Sequence, residues 1–199
     1  MSAPYLVLAS GSSARRALLL GAGLRFSVKV SAVDEEALKT QLLTGQASPI
    51  AIAASLAGAK AEHVSQTEPG LVIGADQTLD LGGTLFNKPN SIADLGNQLA
   101  QLRGRRHSLH SAIALARDGQ IVWQEVVSAH LTMRDFSDKF LQTYLADHGQ
   151  DVLGCVGGYK LESAGVQLFD QIDGDYFTIL GLPLTGLLGA LRQFGVVMT

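Results

Sequence analysis

Asp76 and Lys88 are the first residues from which chemistry can be read. Asp76 stands where an apolar, strand-type run ends (LVIGA, residues 71–75), and Lys88 follows twelve residues later, locked in front of Pro89. A carboxylate at the end of a buried strand can hold a divalent ion or take a proton from water, and a cation on a stiff loop can hold an anion. Further upstream, Ser10, Ser12 and Ser13 precede Arg15 and Arg16 at an expected helix start. Hydroxyls there can cap the helix, and its free N–H groups favour anions. The helix dipole disfavours cations in the first turn, so two adjacent arginines suit a ligand phosphate better than they suit the helix. Lys60 lies on an otherwise apolar, small-residue helix, where it must reach water or find an anion. Asp34, Glu35 and Glu36 read equally as a solvated acidic helix start or as a second metal-facing carboxylate.

Composition narrows the class. The 199 residues are 47% hydrophobic and 17% charged, which describes a globular chain rather than a disordered one. A net charge of −3 argues against nucleic-acid or anionic-membrane partners, which need a basic excess, but not against a nucleotide. One basic cluster, Arg103, Arg105, Arg106 and His107, reads as a solvated helix end, with substrate contact as the minority reading. The single cysteine, Cys155, excludes an internal disulfide and reads as a small apolar filler. No apolar stretch is long enough to span a bilayer, and no basic segment precedes the first apolar run as in a secretory signal, so a cytoplasmic enzyme is expected.

The elements that must position these residues follow from periodicity and punctuation. Strands are expected at residues 5–9, 26–30, 71–75, 108–116 and 121–132, the last two joined by a turn at Arg117, Asp118 and Gly119. Helices are expected after the Ser10, Ser12 and Ser13 hydroxyls, each of which could cap the first, after Ser48–Pro49, after Ser91, after Ser137 and near the C-terminus. Gly82–Gly83 reads as a hairpin turn. Asp80 falls on the same strand face as Asp76 but about 13 Å away, too far to share one metal. The alternation predicts one α/β (or α+β) domain over residues 1–199, with a mixed, twisted sheet, helices on both sides and a ligand crevice at the strand ends.

Six segments together resemble the Maf family of nucleoside triphosphate pyrophosphatases. They are LVLASGSSARRALL, SLAGAKA, VIGADQT, NKP, LRGRRHSLHSAIAL and GGYKLESAGVQLFDQIDGDYFTILGLPL, in order and spread from Tyr5 to about Gly195. The resemblance implies two lobes around a deep cleft, a dimer, and metal-dependent hydrolysis of a nucleoside triphosphate to a monophosphate and pyrophosphate, in house-cleaning of modified nucleotides. It implies Asp76 as the catalytic acid position, Glu35 as an acidic site, and Lys60 and Lys88 as phosphate-facing lysines. Ser10, Ser12, Arg15 and Arg16 would form the phosphate-binding turn. Gln77 and Glu162 match members preferring 7-methyl-GTP, whereas Ala14 stands where the family commonly has arginine or tyrosine and matches neither subgroup.

A triphosphate carries about four negative charges, which a divalent cation (Mg2+ or Mn2+) and fixed cations must neutralise before water can attack. Asp76 and Glu35 are the expected ligands, and Asp76 is equally placed to be the base. Two rivals are weaker. The phosphate-binding P-loop pattern fails because GSSARR has no Gly-Lys-Ser/Thr at the required spacing, and Thr78 stands where an aspartyl-phosphate enzyme would have its second acid. A non-catalytic nucleotide- or nucleic-acid-binding regulator of cell division is disfavoured by the acidic balance and by retention of the acids and lysines.

Overall fold

The computed structural model describes residues 5–198. Its centre is a seven-stranded mixed sheet in the order β2-β1-β3-β5-β6-β7, with a short β4 also paired to β3. The strands are β1 (Leu6–Leu8), β2 (Ser27–Val28), β3 (Leu71–Leu81), β4 (Thr84–Phe86), β5 (Arg106–Arg117), β6 (Gln120–Met133) and β7 (Phe169–Asp173). β1 runs parallel to β2 and β3, and every other pairing is antiparallel. The expected strand at 26–30 is reduced to two residues, because only Ser27 and Val28 find partners on β1.

The larger departure concerns β3. It does not stop at Ala75 but runs eleven residues to Leu81, so Asp76 lies in mid-strand rather than at a strand end. Two forces carry the strand onward. Its antiparallel register with β5 continues unbroken from Val72 to Asp80, and Leu79 and Leu81 alternate into the core beyond the polar pair Asp76–Gln77. The turn at Gly82–Gly83, both at positive φ, then returns the chain as β4. Asp118 and Gly119, also both at positive φ, make the tight β5–β6 turn that matches strand twist.

One edge of β3 is shared by two strands. β1 pairs with it over Leu71–Ile73 and β4 over Leu79–Leu81. Neither pairs with residues 74–78. That opening in the sheet edge positions the site.

Helices cover both faces. α3 (Pro49–Ser65), capped by Ser48 and started by Pro49, lies across one face. Its Ala53, Ala57 and Ala61 pack on Ala112, Ala114 and Ala116 of β5. The fit is close: a Cβ at Gly74 of β3 would come within 2.1 Å of the Ala57 carbonyl oxygen. This small-residue contact seats Lys60 beside the middle of β3.

The opposite face carries two separate apolar clusters. α1 (Ser13–Gly21) and α7 (Leu184–Gln193) close on Leu6, Leu8, Leu71, Ile73, Ile113 and Leu115 at one end. α4 (Ile92–Leu102) and α5 (Asp138–Val152) close on Leu79, Leu109, Leu131 and Met133 at the other. Between them, on the same strands, stand Gln77 and Ser111 instead of apolar residues. α2 (Glu35–Thr44) and α6 (Tyr176–Ile179) complete the helices. α5 continues past Gly149, which packs against Ile92 of α4. Among the described residues no helix is long and apolar enough to cross a membrane.

Candidate active site

A cleft of about 760 Å³ opens where the two apolar clusters part, a size suited to a small-molecule ligand. One wall belongs to the sheet and its helices. Asp76 projects toward α3, and Lys60 meets it: the Lys60 Nζ lies 2.7 Å from Asp76 Oδ1 and 2.7 Å from Glu35 Oε2. Glu35 arrives on the first turn of α2, whose cap, Asp34, accepts from the Ala37 N–H at 2.9 Å. One cation between two carboxylates leaves one net negative charge. The Lys60 and Asp76 side chains are 8% and 13% exposed, and that of Glu35 is 52% exposed, so the trio is deep at one end and open at the other.

Arg15 fills the opening in the sheet edge. Its Nη1 donates to the Ala75 carbonyl at 2.9 Å and to Ser10 Oγ at 3.1 Å, and its Nε donates to the Gly181 carbonyl at 2.8 Å. Ala75 is one of the β3 residues that neither β1 nor β4 pairs. Burial pushes the Arg15 pKa down, partly offset by the nearby Asp76 and Glu35 carboxylates. Arginine's ordinary value is high enough that the guanidinium stays charged. Ser12 caps α1 by accepting from the Arg15 N–H at 3.4 Å, which aims the helix N-terminus at the cleft.

Gln77 is held by its amide nitrogen. Nε2 lies 2.8 Å from Ser111 Oγ and 3.1 Å from both the Thr178 and Ile179 carbonyl oxygens, with Ser111 Oγ itself donating to Thr178 O at 2.7 Å. Three acceptors around one amide nitrogen dictate its orientation. The Oε1 atom is left as an acceptor without a partner among the described residues.

The structure thus brings Ser10, Ser12, Arg15, Glu35, Lys60, Asp76, Gln77, Lys88 and Glu162 to one cleft. Arg16 is set apart. It is exposed and lines a neighbouring depression floored by Ala17, Leu20, Phe26 and Val28. Adjacent helix positions point about 100° apart, so two consecutive arginines cannot face the same ligand equally. The basic cluster disperses as well. Arg103 pairs with Asp138 at 2.7 Å, Arg106 pairs with Asp173 at 3.1 Å, and His107 is buried. Asp80, set aside on distance, serves the hairpin by accepting from the Gly83 N–H at 2.6 Å.

The second wall contains residues that the sequence did not assign to a site: Asp151 at the end of α5, Cys155, Tyr159 and Lys160. Cys155, expected as filler, is half-buried on the cleft wall. Burial pushes its thiol pKa up, while Lys160 pulls it down, Glu162 pushes it up and Lys88 pulls it down. Tyr159 anchors this wall: its hydroxyl lies 2.8 Å from buried His107 Nε2, and its ring packs edge-on against Phe169. The signal for Lys160 was a lysine between Tyr159 and Leu161, two residues after the glycine pair Gly157–Gly158.

Comparison with known proteins agrees with this architecture. The family model described as Maf-like protein matches residues 5–194. This chain belongs to the Maf-like family. Among Maf-like relatives, it is 52% identical over 197 residues to a nucleoside triphosphate pyrophosphatase of Caulobacter vibrioides, covering 99% of each chain. It is 47% identical over 195 residues to a 7-methyl-GTP pyrophosphatase of Rhizobium meliloti, covering 98% of each. A nucleoside triphosphate pyrophosphatase of Rhodopseudomonas palustris is 52% identical over 189 residues, covering 94% of this chain and 93% of that one.

Proposed function

We propose that this Maf-like protein hydrolyses a nucleoside triphosphate to the monophosphate and pyrophosphate. The observation that carries the reading is the Asp76–Lys60–Glu35 trio, set beside Arg15 and the N-terminus of α1 in one cleft. A triphosphate needs fixed cations, a helix N-terminus and a carboxylate within reach of its reacting phosphorus.

The donor set fits a hard divalent cation. Among the described residues no group of three or more His, Cys, Asp or Glu side chains could hold a metal. Mg2+ and Mn2+ take one or two carboxylates and complete their shells with water and phosphate oxygens, and Asp76 and Glu35 supply that number. Such an ion would neutralise phosphate charge and polarise the reacting phosphorus. The chain's own residues do the rest. Arg15 and the α1 N–H groups hold phosphate oxygens, and Lys88 adds a point charge. Water attacks the α-phosphorus: its oxygen bonds to phosphorus, the bridging bond to the β-phosphate breaks, and pyrophosphate leaves. An Asp76 carboxylate oxygen takes the water's proton.

A second reading concerns the base. Gln77 Oε1 and the Glu162 carboxylate are two acceptors on the cleft, suited to a base that presents N–H donors and carries positive charge. This supports 7-methyl-GTP as the preferred substrate. The wider setting we propose is a cytoplasmic homodimer removing modified nucleotides, without a stable nucleic-acid partner. Light scattering decides the oligomeric state. The net charge of −3 and the internal pairing of the basic cluster support the last point.

The test is pyrophosphate release from a panel of canonical and modified nucleoside triphosphates with Mg2+ or Mn2+. Wild type should turn over at least one, and Asp76→Asn should lose about 100-fold or more while remaining folded. Absence of turnover on the whole panel removes the hydrolase reading, and an undiminished Asp76→Asn removes the proposed centre.

A further inference from the structure

We propose that Lys160 holds the departing pyrophosphate end of the substrate, together with Lys88, from the wall opposite Asp76. The proposal rests on the hydrolase reading above and adds a residue to it. Three observations lead there. First, the deepest lysine of the cleft is already used: Lys60 is neutralised between Asp76 and Glu35, each at 2.7 Å. Arg15 is held to two backbone carbonyls and Ser10 through Nε and Nη1, which leaves it only Nη2 for a phosphate oxygen. The cations left for the far phosphates must come from elsewhere.

Second, Lys160 lines the cleft and makes no ion pair within 4.0 Å among the described residues, and the same holds for Lys88. The two come from different segments, Lys88 from the loop after β4 and Lys160 from the loop after α5. Both nevertheless line the same cleft as Cys155. Glu162 shares that neighbourhood without bridging either lysine. Two cations without ion-pair partners on one cleft favour a multiply charged anion between them. Pyrophosphate, compact and multiply charged, is the chemical class that fits.

Third, the Lys160 backbone is fixed. Its carbonyl accepts from the Ser163 N–H at 3.2 Å and from Ser163 Oγ at 3.3 Å. A Cβ at Gly165 would come within 2.5 Å of that carbonyl oxygen and 2.7 Å of the Lys160 nitrogen. Tyr159, the preceding residue, is tied to His107 at 2.8 Å. A long side chain projecting from an anchored backbone can reach a ligand without a loop having to order first.

The experiment compares wild type, Lys160→Met and Lys160→Arg. Pyrophosphate affinity is measured by calorimetry and by product inhibition, and kcat and KM are measured across the base panel. Losing a charge-assisted contact should weaken pyrophosphate about tenfold to a hundredfold in Lys160→Met and raise KM on every nucleotide alike. Lys160→Arg should retain most of the affinity, and thermal midpoints of both variants should match wild type. Unchanged pyrophosphate affinity in Lys160→Met overturns the proposal. So does a change in preference among bases with pyrophosphate affinity intact, which would place Lys160 at the base instead. Wild type failing on every nucleotide would count against the hydrolase reading. Wild-type turnover with an unaffected Lys160→Met counts against Lys160 alone.

Discussion

The two walls of the cleft are built on different principles. On the sheet wall every charge has an internal partner: Lys60 serves two carboxylates, and Arg15 closes the sheet edge at Ala75. On the loop wall Lys88, Lys160 and Glu162 project from connecting segments without ion pairs among themselves. The first arrangement is preorganised. Its dipoles and charges are set by strand register and helix packing, so they need not reorganise as charge shifts during reaction. The second is suited to ligand capture, since an unpaired surface cation gives up little when it meets a phosphate. Chemistry belongs where positions are fixed, and recognition where side chains can adjust.

The sharpest way to break this contrast is to remove the cation that holds the sheet wall together. Lys60→Met leaves Asp76 and Glu35 facing each other without a counter-charge. Breaking a buried pair costs about 3–5 kcal/mol, and the half-exposed Glu35 brings the expected loss to the lower end of that range. For a chain of this size the thermal midpoint should fall by roughly 6–12 °C. Mg2+ should restore more of the midpoint in the variant than it adds to wild type, because two unopposed carboxylates attract the ion more strongly. Scanning calorimetry with and without Mg2+ reads both effects, and equal metal responses in the two proteins would show that Lys60 does not hold the pair.

The loop wall should instead be sensitive to acid. His107 is buried and tied to Tyr159, and its pKa is lowered to about 4, chiefly by burial, with the nearby Arg105 carbonyl working against the shift. An unfolded chain titrates histidine near 6.5. Between these values the unfolded state binds the extra proton, so stability is present above pH 6.5 and is lost as pH falls toward 4. The full loss is on the order of 3 kcal/mol from this one residue. His107→Phe should flatten that part of the profile in a thermal series from pH 7 to 4. A wild-type profile that stays flat over that window would contradict the burial argument.

How far the sequence could be read follows the same division. The parts legible in the chain are those with local causes: the Ser48, Ser91 and Ser137 caps, a serine cap for α1 that the structure assigns to Ser12, the Gly82–Gly83 turn and the small-residue helix that carries Lys60. The convergence of Asp76, Lys60, Lys88, Gln77 and Glu162 was legible only through the six motifs taken together, and that of Glu35, which none of them contains, only through the resemblance they carry. What escaped has a long-range cause. β3 runs past Asp76 because β5 pairs with it, and no local pattern marks that. Arg15 and Arg16 are neighbours in sequence, but only the sheet-edge opening decides which of them turns inward. Lys60 reads as phosphate-facing until Glu35, on a separate helix, is placed on its far side.

The smallest effect tests whether the adjustable wall reads the base. Glu162→Gln keeps the side chain's length and one acceptor but removes its charge. If Glu162 faces a cationic base such as 7-methylguanine, the loss is electrostatic and partly screened, because the residue is exposed. About 1 kcal/mol corresponds to a change of roughly fivefold in kcat/KM for 7-methyl-GTP relative to GTP. The two substrates differ only in the methyl group and the charge it brings, so their ratio isolates this term from phosphate binding, which the substitution should leave alone or improve slightly. Pyrophosphate inhibition measured in parallel separates the two ends of the ligand. An unaltered 7-methyl-GTP to GTP ratio would remove Glu162 from the base subsite and leave Gln77, fixed on the rigid wall by Ser111 and the carbonyls of α6, as the remaining reader of the base.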